Sequence, residues 1–128
     1  MRLSYCGFTV EPRPTLDSVA FWGDFDDEDG VRDFFFRLPR RVAFGARAGV
    51  IRRGTGWRAS VVIAFYPNVD GGLQQYQTML RAVGRSYGGE LVYDPSERDA
   101  WPWARRPVFT EKTFQDAIAE VANRTAGN

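Results

Sequence analysis

Apolar and polar positions change period several times along the chain, and each change marks an element. Two stretches rich in β-branched and aromatic residues, Gly49 to Arg53 and Trp57 to Tyr66, flank Gly54-Thr55-Gly56. Strand residues on both sides of a turn with two glycines predict a β-hairpin. From Val61 the second stretch is continuously apolar, as in a strand covered on both faces, and Pro67-Asn68 ends it. Period then shifts to three and four: Leu73, Tyr76, Leu80, Val83 and Tyr87 form one stripe, predicting a helix over 70–87. Asp70 is its expected N-cap and Gly88-Gly89 its stop. Glu90 to Tyr93 reads as a short strand ended by Asp94-Pro95. A last helix is expected with Thr110 as cap, Glu111 and Asp116 toward its positive end, and Phe114, Ile118, Val121 and Ala122 as its stripe.

The N-terminal half reads less sharply. Leu3 to Val10 predicts a strand stopped by Pro12 and Pro14, and Ser18 to Phe25 predicts another. Two readings compete from Val31 to Leu38. Val31, Phe34, Phe35 and Leu38 make a helical stripe behind acidic residues, whereas three consecutive phenylalanines suit a strand after an Asp29-Gly30 turn. The helix is preferred, and Pro39 closes either element. Arg40 to Ala48 has no clear period and is compatible with a helix resuming after Pro39. With the helix, residues 18–93 run strand, helix, strand, strand, helix, strand, the split βαβ order of a ferredoxin-like sandwich. The expected fold is therefore α+β: a ferredoxin-like antiparallel sheet with helices on one face, plus an extra N-terminal strand and a C-terminal helix. If 31–38 is a strand, an antiparallel sheet with two helices on one face is the alternative.

At 128 residues, one domain spanning 1–128 is expected, because two would each fall near ~60 residues, where a core is marginal. No apolar run follows Met1-Arg2, and Val61 to Tyr66 is too short to span a bilayer, so a cytoplasmic protein without membrane contact is expected. The absence of histidine removes the commonest general base and neutral metal ligand. Cys6 is the only cysteine, which excludes an internal disulfide and a cysteine-rich zinc site.

Other chemistries fail on spacing. A calcium loop beginning at Asp24 would carry Asp29 where glycine is needed and Phe35 where a bidentate glutamate is needed. Cys6 lies in an apolar strand without a histidine to deprotonate it, and Lys112 opens an exposed-looking helix. The glycine patterns at 45–49 and 54–56 lack the Lys-Ser/Thr of a phosphate loop. These absences argue against an enzyme and for no cofactor, leaving a small carboxylate-dependent enzyme as a minor alternative.

Charge gives the strongest functional signal. From Asp17 to Asp33 there are seven acids against Arg32, a net −6; from Arg37 to Arg58 there are seven arginines and no acid, a net +7. From Glu90 to Asp99 there are four acids against Arg98, a net −3, so an overall +1 hides a segregated sequence. Either the segments pair with one another in the fold, or they face a partner. Candidate contact residues are Asp24, Asp26, Asp27 and Glu28, or the patch of Arg40, Arg41, Arg52 and Arg53. Trp101 and Trp103 around Pro102 are candidate anchors, since tryptophan beside arginine is typical of interface centres. Arg52 and Arg53 beside Trp57 also resemble an RNA-contacting hairpin, although +1 with an acidic segment is a poor footprint for nucleic acid.

An acidic Asp-Glu-Asp-Gly stretch opening a helix, a hairpin, a helix ending Tyr87-Gly88-Gly89-Glu90 and the segment Asp99-Ala100-Trp101 together resemble the bacterial regulator of ribonuclease activity B family, over roughly Val19 to Trp101. The resemblance implies a ferredoxin-like, non-enzymatic protein that binds and inhibits an RNA-degrading endonuclease. The expected function is accordingly a protein-binding regulator, an inhibitor or immunity-type protein acting on a nuclease or toxin. RNA binding through the arginine hairpin is the alternative.

Overall fold

A computed structural model describes residues 2–10, 16–43, 46–87, 91–94, 104–107, 114, 116–119 and 121. Strands β1 (Leu3–Val10) and β2 (Leu16–Phe25) are followed by helices α1 (Glu28–Phe36) and α2 (Arg40–Ala43). The hairpin β3 (Ala46–Arg53) and β4 (Gly56–Phe65) leads to helix α3 (Gly72–Ser86), and the short strands β5 (Leu91–Tyr93) and β6 (Ala104–Pro107) complete the order.

Of the 31–38 region, Val31 to Phe36 is helix, with Arg37 as its C-cap. Asp27, extended at φ −139°, accepts a hydrogen bond from the Gly30 amide at 2.9 Å and caps α1. That cap satisfies one of the orphan donors of the first turn, and Glu28 and Asp29 lie at the positive end of the helix dipole. The phenylalanine run then divides by helical phase: Phe34 is 0% exposed and Phe36 is 88% exposed. In a strand, with period two, these two positions would share a face. The helix does resume after Pro39, for one turn in α2, and β3 begins at Ala46.

One local expectation is corrected. The N-cap of α3 is Gly71, not Asp70; Gly71 sits at φ 76°, in the left-handed region, and no side chain caps this helix. Of the two hairpin glycines, only Gly54 uses positive φ, at 59°. With Thr55 it forms a two-residue turn closed by the Arg53–Gly56 pair, and glycine at the first central position matches a type II′ turn. Gly56 is needed for a different reason: a Cβ there would collide with the Phe25 carbonyl oxygen.

The strands form one sheet in the order β3-β4-β2-β1-β5, with β6 pairing the far half of β1. All pairs are antiparallel except β1 with β5, which corrects the expectation of a wholly antiparallel sheet. The reason is the place of the N-terminal strand. It enters the sheet between β2 and β5, so β5, running opposite to β2, lies parallel to β1.

Register assigns the two faces. Phe21 pairs with Tyr5 on one side and Val61 on the other, and these alternate with Trp22, Ser4 and Ser60. Tyr5, Val19, Phe21, Val61, Ile63 and Phe65 line the first face, with Phe34, Tyr76, Leu80 and Val83 of the helices packed in the same cluster. Phe65 and Tyr76 stack there at 4.2 Å between centroids. Phe114, Ala117, Ile118 and Val121 are helical and buried in this core, and Phe114 meets Tyr5 and Phe21 edge-on. This matches the expected C-terminal stripe, whereas Thr110, Glu111 and Ala122 lie outside the described residues. Cys6, Ala20 and Trp22 form a second, smaller buried cluster on the other face. No described helix is long and apolar enough to cross a membrane.

Candidate functional site

Charges segregated in sequence meet in the fold at one end of the sheet. The antiparallel register sets Asp24 of β2 directly opposite Arg58 of β4. The guanidinium donates from Nε to Asp24 Oδ1 at 2.7 Å and from Nη2 to Oδ2 at 2.9 Å, a bidentate pair. Hydrogen bonding from Arg58 holds the Asp24 carboxyl below its usual range, with burial opposing and the Arg53 charge adding to the effect. The same hydrogen bonds raise Arg58. On α1, Arg32 reaches Glu28 and Asp29 at 3.4 and 3.5 Å, and Arg37 reaches Asp33 at 3.2 Å. These three contacts are exposed and follow helical spacing, so each contributes little to stability.

The acidic candidates therefore divide. Asp24 is a cross-strand ion-pair partner and Asp27 a helix cap, while Asp26 and Glu28 are exposed beside them. Among the described residues, no group of three or more cysteine or carboxylate side chains is placed to hold a metal ion.

The arginine candidates also divide. Arg52 and Arg53 end β3 next to the turn, on the same end of the sheet as Asp24. Arg40 and Arg41 lie on α2, which leads into the Ala46 end of β3. An eight-residue strand spans roughly 25 Å, so these four arginines do not make one patch. Trp101 and Trp103 lie outside the described residues.

What the sequence did not single out is the outer edge of β3. Among the described residues β3 pairs only with β4, and seven of its eight residues are exposed. Val50 and Ile51 are 45% and 55% exposed in the middle of an otherwise cationic strand carrying Arg47, Arg52 and Arg53. Arg52 lies opposite Trp57 and its guanidinium rests 4.5 Å from the indole centroid, a cation–π contact. Beside it, Val31, Val50 and Trp57, together with Glu28 and Arg32, line a mainly apolar cavity of about 240 Å³. A second surface cavity of about 470 Å³, in the loop before α3, has Asp70 as its titratable residue. Among the described residues each of these two cavities offers one carboxylate, where paired-carboxylate chemistry needs two converging. Comparison of the chain with protein-family models, curated proteins and solved structures gives no match.

Proposed function

We propose that this chain is a non-enzymatic protein-recognition domain of the cytoplasm, an inhibitor or immunity-type protein that blocks a partner enzyme such as a nuclease. The carrying observation is the β3 edge, a long exposed strand with two apolar side chains between arginines and an apolar cavity alongside. Soluble proteins usually shorten, bend or cover such an edge, and one that no other described strand pairs is a ready template for another chain. The resemblance to the regulator of ribonuclease activity B family supports the same reading. So does the strand order, which becomes that of a ferredoxin-like sheet if β1 is set aside.

RNA binding is the second reading, favoured by three exposed arginines on one strand. The Arg52 guanidinium over Trp57 counts against it, because it occupies an aromatic face on which a base would stack. One experiment separates the readings. The tagged chain and an Ile51→Asp, Arg52→Glu variant are compared in affinity capture from the native host, alongside binding to a labelled 20-nucleotide RNA at low salt. Recognition of a protein predicts a stoichiometric partner that the variant loses and whose isolated activity the wild-type chain suppresses. RNA binding that falls steeply with salt, with no captured protein, overturns it.

A further inference from the structure

Backbone hydrogen bonds in an antiparallel pair alternate inward and outward, and the hairpin fixes their phase. The two-residue turn closes on the Arg53–Gly56 pair, which exchanges hydrogen bonds. Arg53, Ile51, Gly49 and Arg47 therefore point their N–H and C=O groups at β4. Ala46, Ala48, Val50 and Arg52 point theirs away, toward the edge that no other described strand pairs. Side chains alternate between faces in the same phase: Val50 and Arg52 share the helix-covered face with Trp57, and Ile51, Arg53 and Arg47 share the other. The cavity lined by Val31, Val50 and Trp57 opens on the first of these faces, next to the outward-pointing backbone of Val50.

We infer that β3 receives an extended acidic segment of the partner protein as an added strand, with one apolar side chain of that segment seated in the Val31–Val50–Trp57 cavity. This rests on the protein-recognition reading and specifies its geometry. Main-chain pairing at Ala46 to Arg52 supplies affinity, and the cavity supplies selectivity for one side chain. Charge selects the occupant. β3 carries three arginines and no acid, so a second copy of β3 laid against it would bring cation against cation. A strand with carboxylates opposite Arg47, Arg52 and Arg53 and apolar residues opposite Val50 and Ile51 complements the edge at every position that carries a charge.

The test uses a fluorescein-labelled peptide, Glu-Glu-Val-Leu-Thr-Val-Glu-Thr, written antiparallel to residues 53–46, and a control with lysine in place of each glutamate. Three forms of the full chain are titrated by anisotropy: wild type, Ala48→Pro, and Arg47→Glu with Arg52→Glu. Ala48→Pro removes a donor aimed at the open edge and leaves the β4 ladder intact, a position where strands tolerate proline. The inference expects the acidic peptide to bind wild type and to weaken by about tenfold or more in Ala48→Pro, the loss of roughly one hydrogen bond with its register. The charge-reversed variant should exchange its preference to the lysine peptide, which keeps the test decisive if Ala48→Pro fails to fold. In 15N spectra the shifted amides should centre on Ala48, Val50 and Arg52. Equal binding of both peptides, or binding insensitive to either variant, overturns the inference. So does a sedimentation measurement showing a dimer that Ala48→Pro dissociates. Capture of the same host protein by wild type and Ala48→Pro also overturns it, while leaving protein recognition itself standing.

Discussion

Asp24 and Arg58 face each other across neighbouring strands and share two hydrogen bonds of 2.7 and 2.9 Å, with the arginine side chain 13% exposed and the aspartate 56% exposed. Their pairing ties the acidic segment to the basic one, so the sequence's largest charge contrast is partly consumed within the fold. Asp24→Asn leaves a mostly buried guanidinium short of its counter-charge. We expect a loss of about 1 kcal/mol in urea unfolding, and a coupling of similar size in a double-mutant cycle with Arg58→Met. Because the folded-state carboxyl is held below its ordinary value of 3.8, the stabilisation is full above that value and fades as pH falls through the folded value. Stability of the Asp24→Asn variant should converge with wild type as pH is lowered below 3.8, read from urea midpoints at stepped pH.

The Tyr87 hydroxyl donates to the Phe34 carbonyl at 2.7 Å, and the two rings stack at 5.5 Å. This bond fastens the end of α3 to α1. Tyr87→Phe keeps the stack and orphans a buried carbonyl, for an expected cost of about 1–2 kcal/mol in chemical denaturation. Burial pushes the phenol well above its ordinary value of 10.0. Its contribution is present below that value and is lost as pH rises above it, so wild type should lose stability between pH 10 and 12 more steeply than Tyr87→Phe.

Phe34 and Phe36 should answer differently to truncation. Phe34→Ala empties a site walled by Phe25, Phe35 and Tyr87 and should cost about 3–5 kcal/mol. Phe36→Ser changes a side chain in solvent and should leave the thermal midpoint within about 2 °C. A comparable loss in both variants would mean that 34 and 36 share a face, as in a strand.

Two glycines in one hairpin should likewise separate. Gly54→Asn meets no neighbouring atom but keeps the strain of a positive φ, and should cost about 1 kcal/mol. Gly56→Ala drives a Cβ into the Phe25 carbonyl and must move β2 from β4, for an expected loss above ~2 kcal/mol in thermal unfolding.

These contrasts show where sequence is informative. The stripe of Leu73, Tyr76, Leu80 and Val83 and the run from Val61 betray α3 and β4 because burial imposes a period on the residues themselves. The division of Phe34 from Phe36 was visible as a stripe but stayed open, since three aromatic residues satisfy helix and strand alike until a cap or a neighbour decides. Asp70 looked like a cap by residue type, yet the chain reaches α3 through Gly71 in a conformation that its neighbours alone do not announce. Strand β6 carries no alternation and owes its form to pairing with β1.

The candidate site shows the same limit. Arg52, Arg53 and Asp24 were legible as charges, but their joint placement depends on β2, β4 and β3 lying side by side. That β3 ends the sheet follows from strand order, which no local pattern encodes. The four arginines that seemed one patch are divided by the length of a strand, a distance hidden in a sequence where they lie close together.

The insertion of β1 has a consequence in time. A ribosome adds roughly 5–20 residues per second, so β1, β2 and the β3–β4 hairpin are complete roughly 1–5 seconds before Leu91 to Tyr93 are made. Leu3 must then find Leu91, about two thirds of the sequence away, for the parallel β1–β5 pair to form. Such distant pairing slows folding. During that interval the growing chain holds its first strand in a state that only its last third can finish, and helpers that shield nascent chains have their clearest task there.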